Sequence, residues 1–317
     1  MEGVLASRNP SSMIALAGIV LVFAAVFGGY MVENGNPYVL LQPAELLIVG
    51  GAALGIVLVA NPPALIGKML RGALTAFRPA VHTRASYLRS LRMLYEVFTF
   101  AQRAGIMSLE TDVEEPHNSR IFSNYPEMLK DREALHFLCD SLRMLVIGVT
   151  TPHELDHLMD LDIEVQRRGR MEPVNALSSV ADALPGLGIV AAVLGVVITM
   201  EAIGGSPETV GQKVAAALVG TFLGILLCYG VVGPIASRLE NVCTAKTHCL
   251  EVFRTATVAF ARGSSPILAV EYGRRSIPTD VRPGFGEMET TIRREAKIPS
   301  VAPPPGQEAH APETTVA

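Results

Sequence analysis

Four long stretches of this 317-residue sequence contain no Asp, Glu, Lys or Arg, and they constrain the fold more than any other feature. They cover residues 9–32, 46–67, 183–200 and 214–237. A helix needs about 20 apolar residues to cross a bilayer, and each backbone polar group left unpaired in hydrocarbon costs several kcal/mol. The sequence therefore predicts an all-α protein with four membrane-spanning helices.

The first stretch has an alternative interpretation as a cleavable signal peptide, because it lies near the N-terminus. Its apolar run is longer than the roughly 7–15 residues of a signal core. No Ala-x-Ala cleavage site follows it. We therefore expect a retained membrane helix.

The basic residues predict the orientation of the chain. Of the 26 Lys and Arg residues, 14 lie in residues 61–176 and 10 in residues 237–317. Since cytoplasmic loops carry an excess of Lys and Arg, both segments should be cytoplasmic. The links at residues 33–45 and 201–212 are then short external turns.

The overall composition limits what the soluble parts can do. The 26 basic and 30 acidic residues give a net charge of −4 without a Lys/Arg-rich run, which argues against nucleic-acid binding. The four cysteines form no Cys-x-x-Cys pair, and a chain of this length needs no disulfides. We expect a reduced cytoplasmic setting, with no metal site and no cofactor.

The sequence outside the spans is predicted to be helical. Apolar residues recur at three-and-four spacing from Arg84 to Ala104 and from Arg132 to Ile147. A third helix is expected to begin at Thr151, and a fourth to continue the last span from Ser237 to about Phe260. The expected segments are 1–60 with spans 1 and 2, 61–176 as a cytoplasmic helical domain, 177–237 with spans 3 and 4, 238–298 as a cytoplasmic helical tail, and 299–317 as a disordered Pro-rich tail.

One short motif suggests an enzyme. His153, Glu154 and His157 match H-E-x-x-H, in which the two His side chains bind zinc and the Glu acts as a base. The extended metzincin pattern fails, because it needs Gly and His at later positions occupied by other residues. Glu154 also follows Thr151 by three residues, as in a capping box. A zinc protease is therefore kept as an alternative to a simple helix start.

Small residues recur four apart inside the spans, which lets helices approach closely in lipid. This spacing suits packing within one subunit and packing between subunits equally. Pro185 and Pro234 lie near the cytoplasmic ends of spans 3 and 4, where each should interrupt the helix. The small pairs are Gly51 and Gly55, Gly188 and Ala192, Ala191 and Gly195, and Gly220 and Gly224.

Ionisable side chains are absent from the middle of every predicted span. Glu45, Asp182 and Glu201 lie at span ends. If ions cross the membrane here, another chain must supply the central carboxylate. Thr199 and Thr221 are the hydroxyl groups left to line such a path, although such threonines usually bond a carbonyl of their own helix.

Several ordered motifs are spread over nearly the whole chain: Phe27-Gly-Gly-Tyr-Met, Leu41-Gln-Pro-Ala-Glu-Leu, Gly105-x-x-Ser-Leu-Glu, Ile121-Phe-Ser-x-Tyr-Pro, Asp182-x-Leu-Pro-x-x-Gly-Ile-Val-Ala-Ala-Val, Val219-Gly-Thr-Phe-Leu-Gly-Ile-Leu-Leu and Val270-Glu-Tyr-Gly-Arg-Arg. Together they resemble the MotA family of flagellar motor stator subunits. The resemblance implies a subunit of the bacterial inner membrane that surrounds a MotB dimer, five copies around two, and conducts ions to turn the rotor through the protein FliG. MotB would supply the membrane carboxylate.

The resemblance also assigns roles to individual residues. Pro185 and Pro234 match two prolines that couple ion passage to movement. Glu110 matches an acid that faces the rotor, and Asp162 lies near another. The family's basic partner aligns with Gln102, whereas Arg103 stands one residue later, about 100° around a helix.

The resemblance further implies the coupling ion. Sodium-driven relatives carry a Thr where this chain has Ala192, so we expect protons. The related ExbB and TolQ energy transducers are an alternative, but they usually have one span before the soluble domain, and this chain has two. A structural membrane scaffold is a third possibility.

Overall fold

A computed structural model describes residues 10–77, 82–201 and 203–296. No strand is present in these ranges, which confirms the all-α prediction. Residues 299–317, predicted to be disordered, lie outside them. The α-helices of the described ranges are α1 (Pro10–Val32), α2 (Pro43–Ala60), α3 (Pro63–Ala76), α4 (Arg84–Ala104), α5 (Glu110–Glu114), α6 (Pro126–Lys130), α7 (Arg132–Ile147), α8 (Pro152–Met200), α9 (Pro207–Leu227), α10 (Gly233–Ala261), α11 (Pro266–Ser276) and α12 (Phe285–Glu295).

The contacts between residues group the chain into two units. The first comprises residues 1–81 and 165–246, and the second comprises residues 82–164 and 247–317. Each long helix, α8 and α10, contributes to both units. The five-segment division expected from the sequence stays a prediction.

Within the described part of the chain, four helical stretches are long and apolar enough to cross a membrane, as predicted. The first two are Ile14–Val32 and Pro37–Ala60. The other two lie within the continuous helical runs Pro152–Met200 and Pro207–Ala261. Because α9 already begins at Pro207, with Ser206 as its N-cap, the link between spans 3 and 4 is shorter than the sequence indicated.

The helix α8 runs through Pro185 without ending there. A proline frees one backbone carbonyl, and a kink is compatible with a continuous helix, so the expected kink at Pro185 stays a prediction. The fourth span behaves differently. A π-helical turn, Cys228–Val232, precedes Pro234, and the N–H of Gly233 donates to the carbonyl of Cys228. Such π-turns are frequent at functional sites.

The second unit has its own apolar core. It is built from α4, α7 and α11 with the first turns of α8 and the last turns of α10. The ring of Phe98 stacks on that of Phe260 with 4.5 Å between centroids. Burying four phenylalanines of this size contributes about 1.5–3 kcal/mol each. The fully buried ones are Phe98, Phe122, Phe137 and Phe253.

The helix boundaries of this unit agree with the sequence predictions. α4 and α7 have the predicted bounds, and each ends at a glycine with positive φ, Gly105 at +86° and Gly148 at +71°. Glycine adopts this conformation without a steric penalty. The predicted start of α8 is confirmed by a capping box, in which Glu154 Oε2 accepts from the N–H of Thr151 at 2.8 Å and Thr151 Oγ1 accepts from the N–H of Glu154 at 3.3 Å.

Candidate functional site

The first candidate site lies in the first unit, where α8 and α9 approach each other at glycines. A Cβ atom placed on Gly188 would lie 2.7 Å from the carbonyl oxygen of Gly220. One placed on Gly224 would lie 2.5 Å from the carbonyl oxygen of Leu184. These distances are too short for any side chain. The spacing therefore serves packing within the subunit at these positions, whereas Cβ atoms on Gly51 and Gly55 would meet nothing within 4 Å.

The close approach allows a hydrogen bond between the two spans. Thr221 Oγ1 donates to the carbonyl oxygen of Gly188 at 3.4 Å. By contrast, Thr199 Oγ1 donates to Gly195 of its own helix at 2.8 Å, as expected for a membrane threonine. The predicted hydrogen bond to a carbonyl of the same helix is thus confirmed for Thr199 and wrong for Thr221. For Thr221, the glycine at position 188 brings a carbonyl group of the neighbouring helix within reach.

A carboxyl group also lies at this crossing, although its position in the sequence indicated a span end. The side chain of Glu45 is buried, and its Oε2 has no hydrogen-bond partner among the described residues. A Cβ on Gly220 would lie 2.5 Å from this oxygen and 3.3 Å from the amide nitrogen of Ala192. The candidate ion-path residues Ala192 and Thr221 therefore lie close to a buried acid.

The position of Glu45 follows from how the helices are staggered. Spans 2 and 4 cross the membrane in the same direction, but Glu45 lies in the first turn of α2 and contacts α9 well inside that helix. Gly220 is seven residues beyond Lys213, about 10 Å along the axis. The sequence offered one signal for this buried position, because Glu45 directly precedes a charge-free stretch. The segment Pro37–Ala60, which is long and apolar enough to cross a membrane, includes this residue.

The two prolines lie at different distances from this crossing. Pro185 is three residues before Gly188, on the same helix. Pro234 is 14 residues beyond Gly220, about 21 Å along the helix, and directly follows the π-turn. The structure therefore places one proline beside the crossing and the other near the end of the span.

The second candidate site lies at the end of α4 in the second unit. Gln102, Arg103 and Glu110 are all exposed, around the turn that Gly105 initiates. Neither Arg103 nor Glu110 has an ion-pair or hydrogen-bond partner in the part of the chain that the structure describes. Asp162 differs, because it is half-buried on α8 and already interacts with another group of the chain. Unpaired exposed charges of both signs are available for a partner protein.

Two family models match separate parts of the chain. The description "Motility protein A N-terminal" matches residues 16–105, and "MotA/TolQ/ExbB proton channel family" matches residues 130–251. The Motility protein A sequences of Salmonella typhimurium and Escherichia coli are each 38% identical over 285 residues, which cover 89% of this chain and 95% of each relative. The chain belongs to the MotA family.

Solved structures of MotA-family complexes share this fold. The structure of C. jejuni MotAB matches with a TM-score of 0.70 at 19% identity, covering 84% of this chain and 96% of that one. The flagellar MotAB stator complex from Bacillus subtilis matches with a TM-score of 0.68 at 23% identity and the same coverage. The four-span helical architecture is therefore that of a MotA-family motor protein.

Family membership removes the enzyme alternative. MotA-family proteins are motor and ion-channel components, so this chain is not a zinc protease. Glu154 is engaged with Thr151 at the start of α8, and His153 and His157 are exposed. No group of three candidate metal ligands occurs within residues 10–77, 82–201 and 203–296. The ExbB and TolQ alternative is also disfavoured, because the N-terminal match and the named relatives are motility proteins.

Proposed function

We propose that this MotA-family chain forms a proton-conducting stator with MotB and turns the flagellar rotor through FliG. Five copies surround two MotB chains. The protein resides in the inner membrane, with residues 61–176 and 238–298 in the cytoplasm. Each proton that crosses releases about 2.3 kcal/mol per 100 mV of membrane potential, which drives stepwise movement without covalent chemistry.

The observation that carries this proposal is the crossing of spans 3 and 4. Their charge-free stretches meet at Gly188 and Gly220, with the hydroxyl of Thr221 bridging them. Ionisable groups within the membrane mark proton relays in pumps and transporters. We propose that MotB places its carboxylate against this crossing, where Thr221 supplies the nearby hydroxyl.

Protons are the coupling ion in this proposal. A bare sodium ion needs several oxygen ligands, whereas a proton needs only the carboxylate. Ala192, beside Gly220, contributes no side-chain oxygen. Swimming should therefore persist in sodium-free medium and stop when an uncoupler collapses the proton gradient. Dependence on sodium alone would contradict the proposal.

Torque is delivered, in this proposal, by the exposed end of α4. Glu110 and either Arg103 or Gln102 contact complementary charges on FliG, and Asp162 adds a further acid. Pro185 and Pro234 link ion passage to movement of this surface. Rim charges of this kind set register and partner choice more than affinity.

Charge reversal at Glu110 tests the rotor contact. We expect Glu110→Lys to abolish or strongly reduce motility while the protein still reaches the membrane and binds MotB, because Glu110 has no partner within the described residues whose loss would disturb folding. Glu115→Lys, which changes a nearby exposed acid that accepts a hydrogen bond from Asn118, is the control for a general effect of charge. If Glu110→Lys assembles normally and motility is unchanged, Glu110 does not contact the rotor. That result would favour the membrane scaffold instead.

A second measurement distinguishes the two basic candidates. If Arg103 carries the family's role, Arg103→Glu should reduce motility and Gln102→Glu should not. If Gln102 occupies the contact position, the opposite result is expected. Swimming speed at equal expression is the readout for both variants.

A further inference from the structure

We propose that α3 lies in the plane of the membrane surface and binds anionic lipid headgroups through Lys68 and Arg71. The helix α3 begins at Pro63, and only two residues separate it from the end of α2 at Ala60. It therefore starts where the second span leaves the hydrocarbon. The leaflet concerned is the cytoplasmic one if the proposed orientation is correct.

One face of α3 is fixed to the protein at the same membrane level. A Cβ on Gly72 would lie 2.9 Å from Leu239 Cδ2, and Arg238 Nε donates to the carbonyl oxygen of Ala76 at the end of α3. Arg238 is the first charged residue after the charge-free stretch of span 4. Both contacts hold α3 where that span also reaches the membrane surface.

A second face of α3 is apolar and exposed. Leu70 and Leu74 are four residues apart and expose 65% and 70% of their surface. Residues at this spacing lie above one another on a helix. Two leucines on an otherwise amphipathic helix beside a membrane span are typical of helices that lie in the interface.

A third face of α3 is basic. Lys68 and Arg71 are exposed, and within the described ranges neither has an ion-pair or hydrogen-bond partner. At about 100° per residue, Arg71 lies between the two leucines and the protein-contacting face, and Lys68 lies at the edge of that face beside Gly72. Their long side chains can reach lipid phosphates while the leucines enter the acyl region.

The charge and the location together favour lipid over a second copy of the chain. A protein partner would need to satisfy two cations and an apolar pair directly beside a membrane span. An anionic bilayer presents both chemistries at that depth. Each basic residue near such a surface strengthens binding by about fivefold.

Tryptophan fluorescence can test this, because the chain contains no tryptophan. The full-length Leu70→Trp variant would be placed in nanodiscs of phosphatidylcholine and phosphatidylglycerol, with bromine on the acyl chains of one lipid at a time. Brominated lipid quenches tryptophan only on contact. We expect quenching by both lipids, with brominated phosphatidylglycerol several-fold more effective at the same mole fraction. Bromine is present in both leaflets, so the result does not depend on orientation.

Matched variants give the reference levels. Leu58→Trp, at a site 68% exposed in span 2, should be quenched by both lipids without preference. Met107→Trp, at a site 64% exposed in the second unit, should not be quenched. Adding Lys68→Gln and Arg71→Gln to Leu70→Trp should remove the preference for phosphatidylglycerol and retain contact with the acyl chains.

Two results would overturn the proposal. Quenching of Leu70→Trp no stronger than that of Met107→Trp means that protein, such as a neighbouring copy, covers α3. Equal quenching by the two lipids means that the basic pair does not select anionic headgroups. Leu74→Trp repeats the measurement one turn along the helix, so that a local distortion at position 70 does not decide the outcome.

Discussion

At the scale of single residues, the packing of the spans depends on glycines, which carry no side chain. At Gly188 and Gly224, backbone atoms of the neighbouring helix lie within about 3 Å of the place that a Cβ atom would occupy. Membrane helices associate through such packing, because lipid provides no hydrophobic driving force between them. The same gap lets Thr221 reach a carbonyl of the neighbouring span.

Replacing Gly188 by alanine should loosen this crossing. The added methyl would lie 2.7 Å from the carbonyl oxygen of Gly220, so we expect a loss of about 1–3 kcal/mol of stability. Gly186→Ala is the matched control, since a Cβ there meets nothing within 4 Å and alanine is the better helix former. Thermal unfolding of the detergent-solubilised proteins measures the difference. Equal melting temperatures would show that the helices do not pack this closely.

Removing the Thr221 hydroxyl should affect both stability and ion flow. Thr221→Val loses a bond between spans, worth about 0.6 kcal/mol on average in membrane proteins. Rotation speed at a fixed proton gradient should fall, because the hydroxyl lies at the proposed path. Thr199→Val, which loses only a bond within its own helix, should rotate normally. Equal rotation speeds for the two variants would show that Thr221 does not line the proton path.

At the scale of elements, charged pairs hold the end of α11. Arg274 Nε donates to Glu271 Oε2 at 2.7 Å, and Arg275 Nε donates to Oε1 at 2.8 Å. Arg274 also donates to the carbonyl oxygen of Pro283 at 2.9 Å, which ties α11 to the loop before α12. The bonds from Arg274, and then from Arg275, lower the pKa of the Glu271 carboxyl from its ordinary value.

This lowered pKa predicts how stability depends on pH. A carboxyl whose pKa is lower in the folded state contributes stability above its unfolded pKa of about 4.3 and loses it as the pH falls through the folded value. The stability difference between wild type and Glu271→Gln should therefore be constant above about pH 5 and shrink below it. Denaturant unfolding at a series of pH values measures it. Glu289→Gln, in a more exposed pair with Arg293, is the control.

At the scale of the whole molecule, two continuous helices join the spans to the soluble unit. The helix α8 runs from Pro152 to Met200, and α10 continues the fourth span after the π-turn. A helix transmits a displacement along its axis because each turn is bonded to the next. The proposed coupling role of Pro185 and Pro234 rests on this continuity of α8 and α10.

Replacing these prolines should uncouple ion flow from rotation. Pro185→Ala and Pro234→Ala restore a backbone hydrogen bond and should stiffen the spans. We expect normal amounts of protein in the membrane, retained proton conduction and loss of rotation. Pro173→Ala, in the same helix α8 but before the charge-free stretch, should rotate normally. If all three variants rotate normally, the prolines have no coupling role.

Much of the architecture could be predicted from local patterns. The bounds of α4 and α7 and the capping box of α8 follow from apolar spacing and cap residues, which act within a few residues of chain. The continuity of α8 through Pro185 could not be predicted, because the packed helices around the proline decide whether it breaks the helix.

By itself, the sequence determined that the chain crosses the membrane four times. The length of a charge-free stretch is a local property, because each charged residue placed in hydrocarbon carries its own free-energy cost. Only the tertiary structure decided that Glu45 is buried against Gly220 and that Thr221 bonds Gly188. These contacts join residues 175 and 33 positions apart. They depend on the depth at which each helix lies in the membrane and on which glycine faces its neighbour. No local sequence pattern specifies either feature.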